Sequence, residues 1–155
     1  MRKIVVALLA LTGFAVAAGD PPGFAVFKAA DLAAIEQQLV QQVGAQKSTS
    51  HSFNDFGTHL MSMSHMETDG MAEIHETMND IFIVRSGEVT LTVGGTVVGA
   101  KSTGPGEIRG TSIEGGVTRN IAAGDIVNIP PNTPHWSRMG AGGKATYFVI
   151  KVKAK

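Results

Sequence analysis

Cysteine is missing from this 155-residue chain altogether. That excludes disulfides, thiolate zinc and iron–sulfur sites, and lipid attachment through an N-terminal Cys. Charge is sparse as well: 13 Lys+Arg offset 13 Asp+Glu, and charged residues make up 17% of the chain. No basic stripe exists to engage nucleic acid. Long hydrophobic runs are also lacking. The apolar stretch Ile4 to Val16 falls short of the roughly 20 residues that a membrane span needs.

That stretch follows Arg2 and Lys3 and ends on small residues, Ala15-Val16-Ala17 or Val16-Ala17-Ala18. Basic start, apolar body and small-residue end predict a secretory signal peptide over residues 1–18; a retained membrane anchor is the competing reading. Loss of Arg2 and Lys3 takes the 13 basic residues to 11 against 13 acidic ones, a net charge near −2. The expectation is a soluble periplasmic or secreted protein with no membrane association after cleavage.

What the chain does have is glycine, 19 of them, spaced as turns between short strands require. Residues 19–50 read as an N-terminal extension. Within it Asp31 is a suitable N-cap for a helix to about Val43, whose stripe Leu32, Ile35, Leu39 and Val43 recurs at spacings of three and four. That stripe would dock on the outside of a sheet or, alternatively, bind a partner. From residue 51 to 155 the period changes and a β domain is predicted. Its strands fall near 51–55, 58–66, 71–77, 80–86, 88–93, 96–101, 107–113, 117–122, 125–129, 134–139 and 145–153. Ser86-Gly87 is one of the expected turns. In the last strand Phe148, Ile150 and Val152 share the face expected to point inward, and Tyr147, Val149 and Lys151 share the other.

The informative stretch is Glu73 to Gly87. Glu73 and His75 are two apart, so in a strand both point into one cavity. Asp80 opens the next apolar run. Two carboxylates would not share an interior without a cation, a proton or a base between them. One imidazole with two carboxylates can hold a divalent ion.

This stretch, Glu73-x-His75-x4-Asp80-x6-Gly87, and a second, Gly124-x5-Pro130-x-Asn132-x2-His135-x3-Met139, resemble the two signature motifs of the cupin superfamily. Glu73 stands where the family has its first His, Asp80 where it has Glu, Asn132 where it has Gly, and Met139 where it has Asn. The resemblance covers about residues 51–153. It implies an all-β cupin double-stranded β-helix, a jelly-roll barrel with one N-terminal α-helix added. It also implies a metal held by Glu73, His75, Asp80 and His135, and a homodimer is a further expectation.

Pro130, Pro131 and Pro134 stiffen the approach to His135, as a ligand needs. Trp136 beside it is expected at the cavity rim. The donor set suits Mn, Fe, Zn, Ni or Co without choosing among them. If one carboxylate stays off the metal, it becomes a general base or acid, and Glu73 is the candidate for that catalytic role. His51, His59 and His65 compete as ligands; His59, Met61, Met63 and His65 share one parity, and if that face lined the cavity His59 would be the spare donor. The methionines Met61, Met63, Met71, Met78 and Met139 raise copper as a lesser option, core packing being the commoner use. Gly94-Gly95 and Gly104-Pro105-Gly106 lack the helix N-terminus and Lys-Ser/Thr pair of a phosphate loop.

Fold alone does not select a reaction. The expectation is an exported metal-binding protein, acting as a dioxygenase-like or isomerase/lyase metalloenzyme on a small organic molecule. A non-enzymatic binder of a small ligand or metal is the alternative.

Overall fold

A computed structural model describes residues 19–140 and 142–154. The expected signal peptide lies outside these residues. The first element, α1, runs Ala29–Gln42. Lys28, and not Asp31, is its N-cap, without a side-chain capping bond. Asp31 sits inside the first turn, where its carboxylate faces the positive end of the helix dipole. Leu39 is buried at 3% exposure, an anchor contributing about 2 kcal/mol. Glu36 adds polar contacts to the barrel, accepting from Arg85 Nε at 3.0 Å and Ser86 Oγ at 2.6 Å. The helix thus docks on a sheet exterior, as its stripe predicts. Among the described residues, no helix is long and apolar enough to cross a membrane.

Among the described residues twelve strands follow: β1 Ser48–Asp55, β2 His59–Met66, β3 Ala72–His75, β4 Met78–Val93, β5 Thr96–Val98, β6 Lys101–Gly104, β7 Glu107–Gly110, β8 Ser112–Glu114, β9 Val117–Ala122, β10 Ile126–Ile129, β11 His135–Arg138 and β12 Ala145–Lys153. All the pairings are antiparallel. The first half of β4 pairs with β12 and β10 in the sheet that also holds β1 and β2. Its second half pairs with β9 and β11 in the sheet that also holds β3, β7 and β6. One long strand therefore joins both sheets; at the expected Ser86-Gly87 turn the chain continues, with a bulge at Arg85 just before it.

The register against β12 shifts between Thr146 and Tyr147, opposite that bulge. Gly87 adopts φ 77°, and a Cβ there would strike the Lys144 carbonyl. Only glycine accepts both conditions cheaply. Further on, Gly99 at φ 65° divides the expected strand 96–101, and the expected strand 107–113 is broken between β7 and β8.

Between the sheets lies a core of Phe82, Val84, Val89, Leu91, Ile121, Ile129, Met139, Ala145 and Tyr147. The last strand corrects the expected facing. Tyr147, Val149 and Lys151 line the interior cavity, whereas Phe148 and Ile150 line a hollow with Phe27 and Leu32 on the helix side. Both faces of β12 are covered, so apolar content does not distinguish them.

Candidate metal centre

Strand register assembles the site through cross-strand pairs. In β3 and β7, Glu73 lies opposite Arg109 and His75 opposite Glu107. On the other side of β3, His135 lies opposite Glu73. In β4 and β12, Asp80 lies opposite Lys151. Cross-strand partners project to the same face, so all of these side chains converge between the sheets.

Glu73, His75 and His135 each offer one donor atom within 4.8 Å of the other two. Both histidines are buried, at 3% and 2% exposure, with ring centroids 5.2 Å apart. Their outer nitrogens are committed. His135 Nδ1 lies 3.0 Å from the Thr133 carbonyl, which can only accept, so Nδ1 carries the proton. His75 Nδ1 lies 2.9 Å from Glu107 Oε1, the carboxylate–histidine pairing that orients a metal ligand. Each ring then directs its Nε2 lone pair inward. Among the described residues neither Nε2 has a hydrogen-bond partner. Two buried, unpartnered lone pairs beside a carboxylate oxygen 3.3 Å from one of them fit a divalent ion.

Asn132 takes φ 58°, a left-handed conformation that glycine adopts freely and asparagine tolerates. Its N–H donates to the His75 carbonyl at 2.9 Å, tying the two histidine segments together.

Asp80 stands beside the trio. Its Oδ2 is 3.3 Å from His75 Nε2 and 3.8 Å from His135 Nε2, yet both its oxygens accept from Lys151 Nζ at 2.8 Å. Burial alone would raise its pKa. The adjacent His75 and the Lys151 ammonium outweigh burial and hold the carboxyl below its usual range. Burial pushes His135 down to about 4, so its imidazole is neutral at pH 7. Burial also raises the Tyr147 phenol to about 12, so it stays protonated; its hydroxyl donates to Met66 Sδ at 2.9 Å.

Arg109, Glu107 and Lys151 were not among the expected site residues. Arg109 pairs with Glu73 and, at 3.2 Å, with Glu107. The signal for them was indirect: carboxylates gathered in an interior call for cations, and Arg109 and Lys151 supply them. The adjoining cavity, about 340 Å³, is lined by Glu73, Asp80, Arg109, Lys151, Tyr147 and the serines 50, 62, 64 and 137, with Met66, Gly70, Phe82 and Val149.

Other expectations are corrected. The parity of β2 places Ser62, Ser64 and Met66 on the cavity side, so His59, Met61, Met63 and His65 face away. His59 stacks on Phe56, and buried His65 bonds Thr146 Oγ1 at 2.8 Å through Nδ1. His51 is exposed and packs edge-on to Phe53. Trp136 follows His135 on the opposite strand face and stacks under Arg138; it donates to the carbonyl of Gly70, a cavity-lining residue, at 2.8 Å without lining the cavity itself. Met139 is in the core, Met63 is buried on the β2 face turned from the cavity and Met71 is 54% exposed, so among the described residues these three methionines do not share a site for copper.

No family model and no curated relative matches the sequence. Solved structures do match in shape. A protein with a double-stranded beta-helix domain from Klebsiella pneumoniae aligns at TM-score 0.56 and 12% identity, over 82% of this chain and 88% of that one. The Cnp3 cupin domain of Schizosaccharomyces pombe aligns at 0.51 and 10%, over 74% and 66%. A recombinant oxalate oxidase in complex with glycolate aligns at 0.49 and 15%, over 70% and 52%, so this chain spans about half its length. The chain therefore has the double-stranded β-helix fold that these structures share.

Proposed function

We propose that this protein is an exported metal-binding cupin in which Glu73, His75 and His135 hold one divalent ion against a small organic molecule in the cavity, and that it acts on that molecule as a metalloenzyme. The observation that carries the reading is the pair of buried Nε2 lone pairs, unpartnered among the described residues and aimed at one point beside Glu73. Charge supports it. Glu73, Asp80 and Glu107 face Arg109 and Lys151, leaving one negative charge unmatched. A divalent ion converts this to one positive charge, which favours an anionic ligand such as a carboxylate or enolate.

Once bound, such an ion supplies Lewis acidity toward a ligand oxygen, and two histidines with one carboxylate suit iron(II) for oxygen chemistry. The chain's own residues do the rest. Glu107 and the Thr133 carbonyl fix the imidazole tautomers, and the serine hydroxyls and Arg109 give an anionic ligand its polar contacts. Glu73 borders the cavity, where an oxygen not given to the ion would be available as a proton acceptor.

Binding without turnover has one observation in its favour. Each carboxylate near the ion already has a cationic partner, Arg109 for Glu73 and Lys151 for Asp80, so neither stands free as a base. Elemental analysis, oxygen uptake and turnover of candidate enols and diols by protein loaded with Fe, Mn, Co, Ni or Zn separate the readings. The enzyme reading expects one ion per chain, lost in His75→Ala and His135→Ala, and turnover with at least one metal. Retained metal without turnover supports the binder, and variants with unchanged metal content overturn the site. Export is tested by fractionation and N-terminal sequencing, with a mature chain beginning at Ala18 or Gly19 expected.

A further inference from the structure

Resting on the metal reading, we propose that Lys151 keeps Asp80 off the ion, so that the protein supplies three donors and leaves the remaining coordination positions to exogenous ligands. Asp80 is close enough to be a fourth donor, since Oδ2 lies within 3.8 Å of both imidazole Nε2 atoms. What competes for it is built into the register. Lys151 is the direct cross-strand partner of Asp80, and its ammonium donates to both carboxylate oxygens at 2.8 Å. The carboxylate is almost completely shielded, at 3% side-chain exposure, while Lys151 reaches it from the cavity with 26% of its side chain exposed. An ion pair so shielded from water is strong, and a carboxylate with both oxygens engaged has little left to offer a metal.

Glu73 is placed differently. Its cation, Arg109, lies on the neighbouring strand, is shared with Glu107 and bonds only Oε2, the oxygen 3.3 Å from His75 Nε2. Among the described residues Oε1 stays free of a hydrogen-bond partner, whereas both oxygens of Asp80 are engaged. The two carboxylates therefore have separate roles: Glu73 is the donor, and Asp80 is the counter-charge that positions Lys151. This reverses the expectation from the motif resemblance, in which Glu73, standing where the family has its first His, would be the carboxylate left free. Lys151 is thus a positioning residue that sets how many places on the ion are open.

Cobalt(II) reports the donor count directly, because its visible absorption weakens as coordination number rises. Lys151→Met releases Asp80, and the expected result is a weaker visible band with cobalt(II) bound at least about tenfold more tightly. Asp80→Asn alone leaves the wild-type band shape, and the double variant K151M/D80N, which removes the pair without changing net charge, restores the wild-type spectrum and affinity. The double variant also guards against K151M failing to fold around an unpaired carboxylate. A wild-type spectrum in K151M, or an altered one in D80N, overturns the proposal while leaving the metal site standing. Wild-type protein that takes up no cobalt(II) overturns both.

Discussion

Burial of His135 makes a prediction about acid stability that can be read on chelator-treated protein. The folded imidazole is pushed down to about 4, against an ordinary value of about 6.5 once unfolded. Between these values the unfolded chain binds a proton that the folded chain does not, so stability falls as pH falls. The full difference corresponds to about 3 kcal/mol below pH 4, of which about 2 kcal/mol is lost by pH 5. Asp80 does not intrude on this window. Its carboxyl is held below 3.8, so its contribution is present above that pH and is lost only at lower pH. Urea unfolding of the wild type and of His135→Gln from pH 7.5 to pH 4.5 measures the effect. The wild type should lose about 2 kcal/mol more than the variant on going to pH 5. Equal slopes would mean that His135 titrates as though solvated, and the buried, inward-facing imidazole would be wrong.

Other substitutions test separate parts of the structure. Glu107→Gln removes the anionic acceptor at His75 Nδ1 and should weaken metal affinity by about 10–100-fold, with melting of the metal-free protein little changed; unaltered affinity would remove Glu107 from the centre. Gly87→Ala places a Cβ against the Lys144 carbonyl at φ 77° and should cost at least about 2 kcal/mol in thermal unfolding; an unchanged melting temperature would contradict that close approach. Leu39→Ala should cost about 3 kcal/mol in urea, and a neutral result would mean that α1 is not docked.

The sequence made the strands and the two motif segments visible because both rest on local rules: glycine at turns, alternation along strands, and two-residue spacing between Glu73 and His75. Register is a long-range property, and what depended on it was missed. Lys151 meets Asp80 only because Ala145–Lys153 pairs with Met78–Val93 in one register. The facing of Phe148 was misread for the same reason, since α1 covers one side of that strand and the cavity occupies the other. Arg109 and Glu107 belong to a region where a predicted seven-residue strand is in fact two short ones. Asn132 is a departure from the motif that the structure explains, because its φ of 58° is open to glycine and tolerated by asparagine.

The central claim, that His75 and His135 share one ion with Glu73, is tested most directly by anomalous scattering from a crystal of the protein loaded with a divalent transition metal. A single peak within about 2.2 Å of both Nε2 atoms and near a Glu73 oxygen is the expected result. A cavity without a peak at full metal loading, or a peak that leaves either imidazole uncoordinated, would contradict it.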